Sequence, residues 1–163
     1  MLGKDDEIDD RFAPAAAEGF GAFILRRNMF GPAGNNWGGP DWNGWWSDIP
    51  RIMHRPFILT YHAHSPIKME GGTTFFFVTD GIESALAQAK KAAGNLDVKI
   101  GGGASTIRQY LLAGAIDEIH LAMSPIVLGR GESLFAGIDL SALGYRVTEV
   151  VPTELATHLV LTR

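Results

Sequence analysis

The sequence contains no cysteine. That removes disulfides, thiol nucleophiles and cysteine-ligated zinc together, and it fits a reducing compartment. No apolar run approaches the roughly 20 residues that a membrane-spanning helix needs. Positive charge is scarce: 14 Lys and Arg against 18 Asp and Glu leave a formal net charge of -4. Nucleic-acid binders need clustered cations for phosphate contacts, so this balance argues against one. The first ten residues, Met1 to Asp10, are acidic and resemble neither a signal peptide nor a transit peptide. The expectation left by these absences is a soluble cytoplasmic protein with no nucleic-acid or membrane partner. At 163 residues it is large enough for one domain, spanning 1–163, with a self-sufficient core.

What is present is a glycine-rich passage from strand to helix, Asp97-Val98-Lys99-Ile100-Gly101-Gly102-Gly103-Ala104-Ser105-Thr106-Ile107. A chain that leaves a strand over glycines and enters a helix opens backbone N–H groups and the positive end of the helix dipole to an anion. The hydroxyls of Ser105 and Thr106 can cap the helix or reach a phosphate oxygen. Two familiar glycine motifs are excluded. No G-K-[ST] follows, and Thr106 stands where the last glycine of G-x-G-x-x-G belongs. A serine hydrolase elbow is excluded as well, because Ser105 is not set in G-x-S-x-G. The passage is therefore either a site for a phosphate-bearing cofactor or a tight strand–helix turn that binds nothing.

Taken in order, Pro14 to Glu18 is a short Ala-rich helix candidate stopped by Gly19. Gly21 to Leu25 is a buried-type strand that ends in Arg26-Arg27-Asn28. Two guanidiniums at a strand end are either a phosphate clamp or simply solvated. Residues 31–50 are rich in Gly, Pro, Asn and Trp and hold all four tryptophans. They read as a satellite core or subunit contact ahead of a pocket wall. Pro56 to Thr60 and Thr74 to Thr79 are further strands. His62 and His64 have no third ligand at a recognisable spacing, so no metal site is expected. Asp80 and Glu83 form a capping-box pattern for a helix with the apolar stripe Ile82, Ala85, Leu86, Ala89, ended by Gly94. Val98 to Ile100, Ile119 to Met123, Tyr145 to Val151 and His158 to Thr162 complete the strands, the last two as an antiparallel pair. Asp117 and Glu118, as neighbours, fall on opposite faces and read as solvated strand-entry residues. The class is α/β, a mostly parallel mixed sheet flanked by helices with an antiparallel C-terminal strand pair.

The glycine loop, Asp117-Glu118-Ile119, and Pro125-Ile126-Val127-Leu128-Gly129-x-Gly131-x-x-Leu134-Phe135 together resemble the dihydrofolate reductase-like family. They are closest to the branch related to the C-terminal reductase domain of the riboflavin-biosynthesis deaminase-reductase. Arg26 to Phe30 and the run from Met69 through Glu83 fit the same branch, and the likeness covers roughly residues 20–162. The resemblance implies a three-layer dihydrofolate reductase-like fold, NADPH as cofactor and a homodimer. By position, Gly102, Gly103, Ala104, Ser105 and Thr106 would hold the pyrophosphate, and the peptide matching Gly101–Gly102 would be cis. Arg27 would face the 2′-phosphate, Thr60 would lie at the same end, and Val78 and Thr79 near the adenine. Two departures stand out. Arg26 replaces the family's usual glycine and is a candidate second phosphate ligand. The Ser-Leu-Asp-Gly-type first strand is also not visible before residue 12, so the chain either begins beyond that strand or has lost it. The function implied is an NADPH-dependent reductase passing hydride to a small pterin- or pyrimidine-like heterocycle, with no catalytic side chain assigned. The alternative is a non-catalytic NADP(H)-binding or oligomerising protein that keeps the fold.

Overall fold

The computed structural model describes Ile8, Phe12, residues 19–31, Trp37, Gly44, Trp46 and residues 55–163. The Pro14–Glu18 helix, the family-type first strand and most of the 31–50 segment fall outside the described residues. The chain divides into two compact units, Ala17–Ile107 and Met1–Ala16 joined with Arg108–Arg163.

The first unit is built on β1 (Phe20–Arg26), a single helical turn α1 (Arg27–Phe30), β2 (Pro56–Leu59), β3 (Ile67–Lys68), β4 (Thr74–Val78), α2 (Gly81–Ala93) and β5 (Asp97–Ile100). Its five-stranded sheet has the order β3-β4-β2-β1-β5. β4, β2, β1 and β5 are parallel, and only β3 runs antiparallel, against β4. The apolar runs of β1 and β2 have no polar face, as expected where parallel strands are covered on both sides. Phe23, Leu25, Phe30, Ile58, Met69 and Phe75 form the core cluster. Trp37 and Trp46 pack against it, and the Trp46 indole N–H donates to the Met29 carbonyl at 3.1 Å. These two tryptophans therefore extend the core, one of the two roles expected of their segment.

Helix α2 lays its small residues Ala85, Ala89 and Ala93 against the sheet. Gly21 on β1 permits the approach, because a Cβ there would stand 2.6 Å from the Ala93 Cα. The helix ends as expected at Gly94, whose φ of 66° suits glycine. Its start differs from the capping box expected in the sequence. Asp80 makes no side-chain cap hydrogen bond. Its backbone lies at φ -92°, ψ 16°, outside the extended region that aims a cap side chain at the first turn. The Asp80 carboxylate accepts from Thr79 Oγ1 instead, at 3.3 Å.

Helix α3 (Ala104–Leu112) begins in the first unit and continues into the second. The second unit adds β6 (Glu118–Met123), β7 (Arg146–Pro152) and β8 (Thr157–Thr162) in an antiparallel sheet of order β6-β8-β7. The expected C-terminal pair is β7 with β8, and β6 takes the other edge of β8. Arg163 donates to the Gly114 carbonyl and lies 3.7 Å from the Asp117 carboxylate, while the Tyr145 hydroxyl donates to the Ile116 carbonyl. Asp117 and Glu118 are both exposed, in keeping with their reading as strand-entry residues.

Candidate functional site: the glycine loop at a switch point

Strand order decides where a ligand can enter this sheet. From β1 the chain steps outward in one direction to β2 and β4, then returns to place β5 on the opposite side of β1. β5 thus lies beside β1 on the side away from β2, and the region beyond the carboxyl ends of such neighbours is where open α/β sheets bind ligands. The residues at that point are Arg26 and Gly101–Gly103. The ladder continues past the strands to hold them. Gly101 N–H donates to the Ile24 carbonyl at 2.9 Å, and Arg26 N–H donates to the Gly102 carbonyl at 3.0 Å.

Each glycine of the loop has its own requirement. A Cβ on Gly101 would press to 2.4 Å from Leu25 Cδ2, so packing excludes it. Gly102 has φ 110°, a conformation that L side chains rarely adopt. Gly103 needs neither, and a Cβ built on it meets no described atom within 4 Å. The cis peptide is Gly102–Gly103, one residue later than the position expected from the family resemblance. Gly103 O accepts from Thr106 N and Ile107 N at 3.0 and 3.1 Å, which starts α3 and aims its positive end at the open face of the loop. Thr106 is buried, while Gly103, Ala104 and Ser105 are half-buried. An open glycine at a helix N-terminus leaves room for an anion to approach the backbone, so these residues fit the pyrophosphate of a dinucleotide cofactor.

The two arginines are used differently. Arg26 reaches across to the loop, where its Nη1 donates to Ser105 Oγ. Arg27 turns inward: its guanidinium lies 4.0 Å over the Trp37 ring and 5.7 Å over Phe30. Its Nε and Nη1 are buried, and burial lowers its pKa. Trp37 is also 4.4 Å from the His64 ring and 5.0 Å from Phe77. The sequence reading missed this cluster. Its one available signal was the concentration of tryptophan in residues 31–50, and an aperiodic segment does not say which side chain meets which.

The remaining expected residues lie at the ends of β2 and β4. Thr60 is buried, its N–H donates to the Val78 carbonyl at 3.1 Å, and its Oγ1 accepts from His62 N at 3.1 Å. Val78 is buried and Thr79 exposed. His64 Nδ1 sits 2.6 Å from the Ser65 carbonyl. Among the described residues, no group of three or more His, Asp or Glu could hold a metal, and no helix is long and apolar enough to cross a membrane.

Comparison with known proteins bears on the family and the fold. The family model described as RibD C-terminal domain matches residues 54–161. Bacillus subtilis YyaP, an uncharacterized protein, is 37% identical over 62 residues, which is 38% of this chain and 32% of that protein. The match thus spans about a third of that relative's length. A putative riboflavin biosynthesis protein from Shewanella sp. PV-4 superposes with a TM-score of 0.65 at 22% identity, over 92% of this chain and 77% of that one. Dihydrofolate reductase from Enterococcus faecalis, complexed with NADP(H) and RAB-propyl, gives 0.58 at 19% identity, over 100% and 89%. At these identities the solved structures establish a shared α/β fold, and the family model goes further. The chain belongs to the RibD C-terminal domain family and has a dihydrofolate reductase-like fold.

Proposed function

We propose that this protein is an NADPH-dependent reductase that passes hydride to a small pterin- or pyrimidine-like heterocycle. The observation that carries the reading is the open Gly103 cradle, set at the switch point between β1 and β5 with the Arg26 guanidinium docked beside it. In this reading Gly102, Gly103, Ala104, Ser105 and Thr106 receive the pyrophosphate, and Arg26 is the cation nearest to it. Thr60, Val78 and Thr79 lie toward the adenosine end. Arg27, resting on Trp37, supports that end and contributes positive charge to it. The nicotinamide supplies the hydride when bound, and the chain's own residues bind and orient. The chain is one domain in the same reading, supported by α3, whose residues fall on both sides of the boundary between the two units. The lack of cysteine supports a cytoplasmic setting. A homodimer is part of the same reading. The exposed run Ile126-Val127-Leu128, at 69%, 98% and 78%, supports it as apolar surface of the kind that partners cover.

Titration of the protein with NADPH and NADH by calorimetry tests the cofactor. Binding that prefers NADPH is expected, and binding of neither would overturn the reading. One observation favours a second reading, a cofactor-binding protein without catalysis: Arg26 puts a half-buried guanidinium at the mouth of the loop, where the resemblance implies glycine. Oxidation of bound NADPH in the presence of heterocyclic acceptors separates the two readings.

A further inference from the structure

On the second unit's sheet, His120 of β6 and His158 of β8 meet ring to ring, with His120 Nε2 3.0 Å from His158 Nδ1. Register explains the meeting. Ala122 pairs with His158 and His120 with Val160, so the two imidazoles are diagonal neighbours on one face of an antiparallel ladder. The rings are nearly coplanar, at 14°. The Phe12 ring from the N-terminal segment lies flat over both, 4.7 Å from His120 and 4.1 Å from His158, tilted by 18° and 10°. His158 is buried beneath it, with 5% of its surface exposed.

We propose that the His120–His158 pair, covered by Phe12, is a proton-sensitive clasp that holds the Phe12 ring to this sheet. An N–H···N contact needs one donor nitrogen and one bare acceptor nitrogen. Two neutral imidazoles satisfy it, and so does a pair carrying one extra proton. Two imidazolium rings cannot, because both facing nitrogens then carry hydrogen and both rings carry positive charge. The second proton therefore separates the rings, and the flat platform under Phe12 is lost with them.

Charged groups lie near the pair in register and in sequence. Glu118 lies two residues from His120 on the same face of β6. On β7, Val151 pairs with His158 and Glu149 with Val160, and Arg146 pairs with Thr162 further along. Asp9, Asp10 and Arg11 flank Phe12 in the chain. The contact tolerates the first added proton, and release follows the second. Because the released state binds one proton more, the docked-to-released ratio falls about tenfold per pH unit below that point.

The test is proton NMR of the five histidines of the full chain between pH 8 and pH 5, in wild type, Phe12→Leu and His120→Gln. At pH 8 the two histidines under Phe12 should show ring-current displacement that Phe12→Leu abolishes, which distinguishes them from His64 beside Trp37. On acidification both displacements should collapse together, while amide signals elsewhere stay dispersed. In His120→Gln, where no second imidazolium can form, the His158 displacement should survive at pH 5. The proposal is overturned if both displacements persist at pH 5 in the wild type. It is equally overturned if they are lost only with global unfolding, or if His120→Gln releases over the same range as the wild type.

Discussion

Gly101 and Gly103 lie two positions apart and answer to different demands, which mutation can separate. Gly103→Ala adds a methyl to open space, so stability should change by less than about 0.5 kcal/mol. NADPH affinity should nonetheless fall at least about tenfold as the cradle fills, the scale of a lost charge-assisted contact. Unchanged affinity by calorimetry would remove the loop from the cofactor site. Gly101→Ala meets Leu25 Cδ2 instead and should lose about 1–3 kcal/mol in urea denaturation. The arginines separate in the same way. Arg26→Ala should weaken NADPH by about 1–3 kcal/mol, as removal of a charged hydrogen-bond partner does. Arg27→Ala, which strips the cation from Trp37, should also lower stability, and its loss of affinity should fall on NADPH and spare NADH. Equal loss for both cofactors would remove Arg27 from the adenosine end. That assignment shows where sequence reading stops. The arginine pair at a strand end was legible from residues 21–28. Which of the two faces the loop depends on Trp37 and Ser105, and no local pattern ties either to β1. Burial raises the pKa values of Tyr110 and Tyr145. A tyrosine whose folded-state pKa is raised keeps its proton longer in the folded state than in the unfolded chain. Its contribution is therefore complete below about pH 10 and lost as pH rises above it. Thermal melts from pH 8 to 11.5 should show Tm falling above pH 10, and Tyr145→Phe should flatten part of that fall.

Among the elements, α2 and β1 are held together by absence of bulk. Gly21→Val would drive a Cβ to 2.6 Å from Ala93 Cα and 2.7 Å from its carbonyl oxygen. Both are backbone atoms that cannot rotate aside, so a loss of about 2–3 kcal/mol or more is expected in chemical denaturation. A neutral outcome would mean that α2 can slide on the sheet. The strands were largely readable because their runs are short, apolar and β-branched or aromatic, and each observed strand except β3 lies within a residue or two of its expected position. β3 is a two-residue pairing, Ile67 with Phe75 and Lys68 with Thr74, too short to carry a period. The α1 turn, Arg27–Phe30, was unreadable for a related reason: it is set by Phe30 entering the core, not by helix propensity. The capping box failed because its pattern records residue types, while the bond depends on the backbone angles at Asp80.

For the molecule as a whole, the order of strands carries more functional meaning than any one motif. The glycine loop and Arg26 were each visible in the sequence, but their juxtaposition was not, because the placing of β5 beside β1 is a property of topology. If the exposed Ile126-Val127-Leu128 run is covered by a second copy, sedimentation at micromolar concentration should return a dimer. Replacing Val127, at 98% exposure, by Glu should shift it toward monomer. A wild-type monomer would exclude that role for the run. One contact also bears on how the protein is made. The hydrogen bond from Arg26 to Ser105 joins residues 79 apart in the chain. A ribosome therefore delivers the guanidinium long before the hydroxyl and the glycines it meets. Until that second stretch emerges the glycine loop is absent, so on the proposed reading a cofactor would have no site on the growing chain. Ligand stabilisation, which acts only on a state that binds, would then begin only once the loop has emerged, and before that the β1–β2–β4 core stands alone.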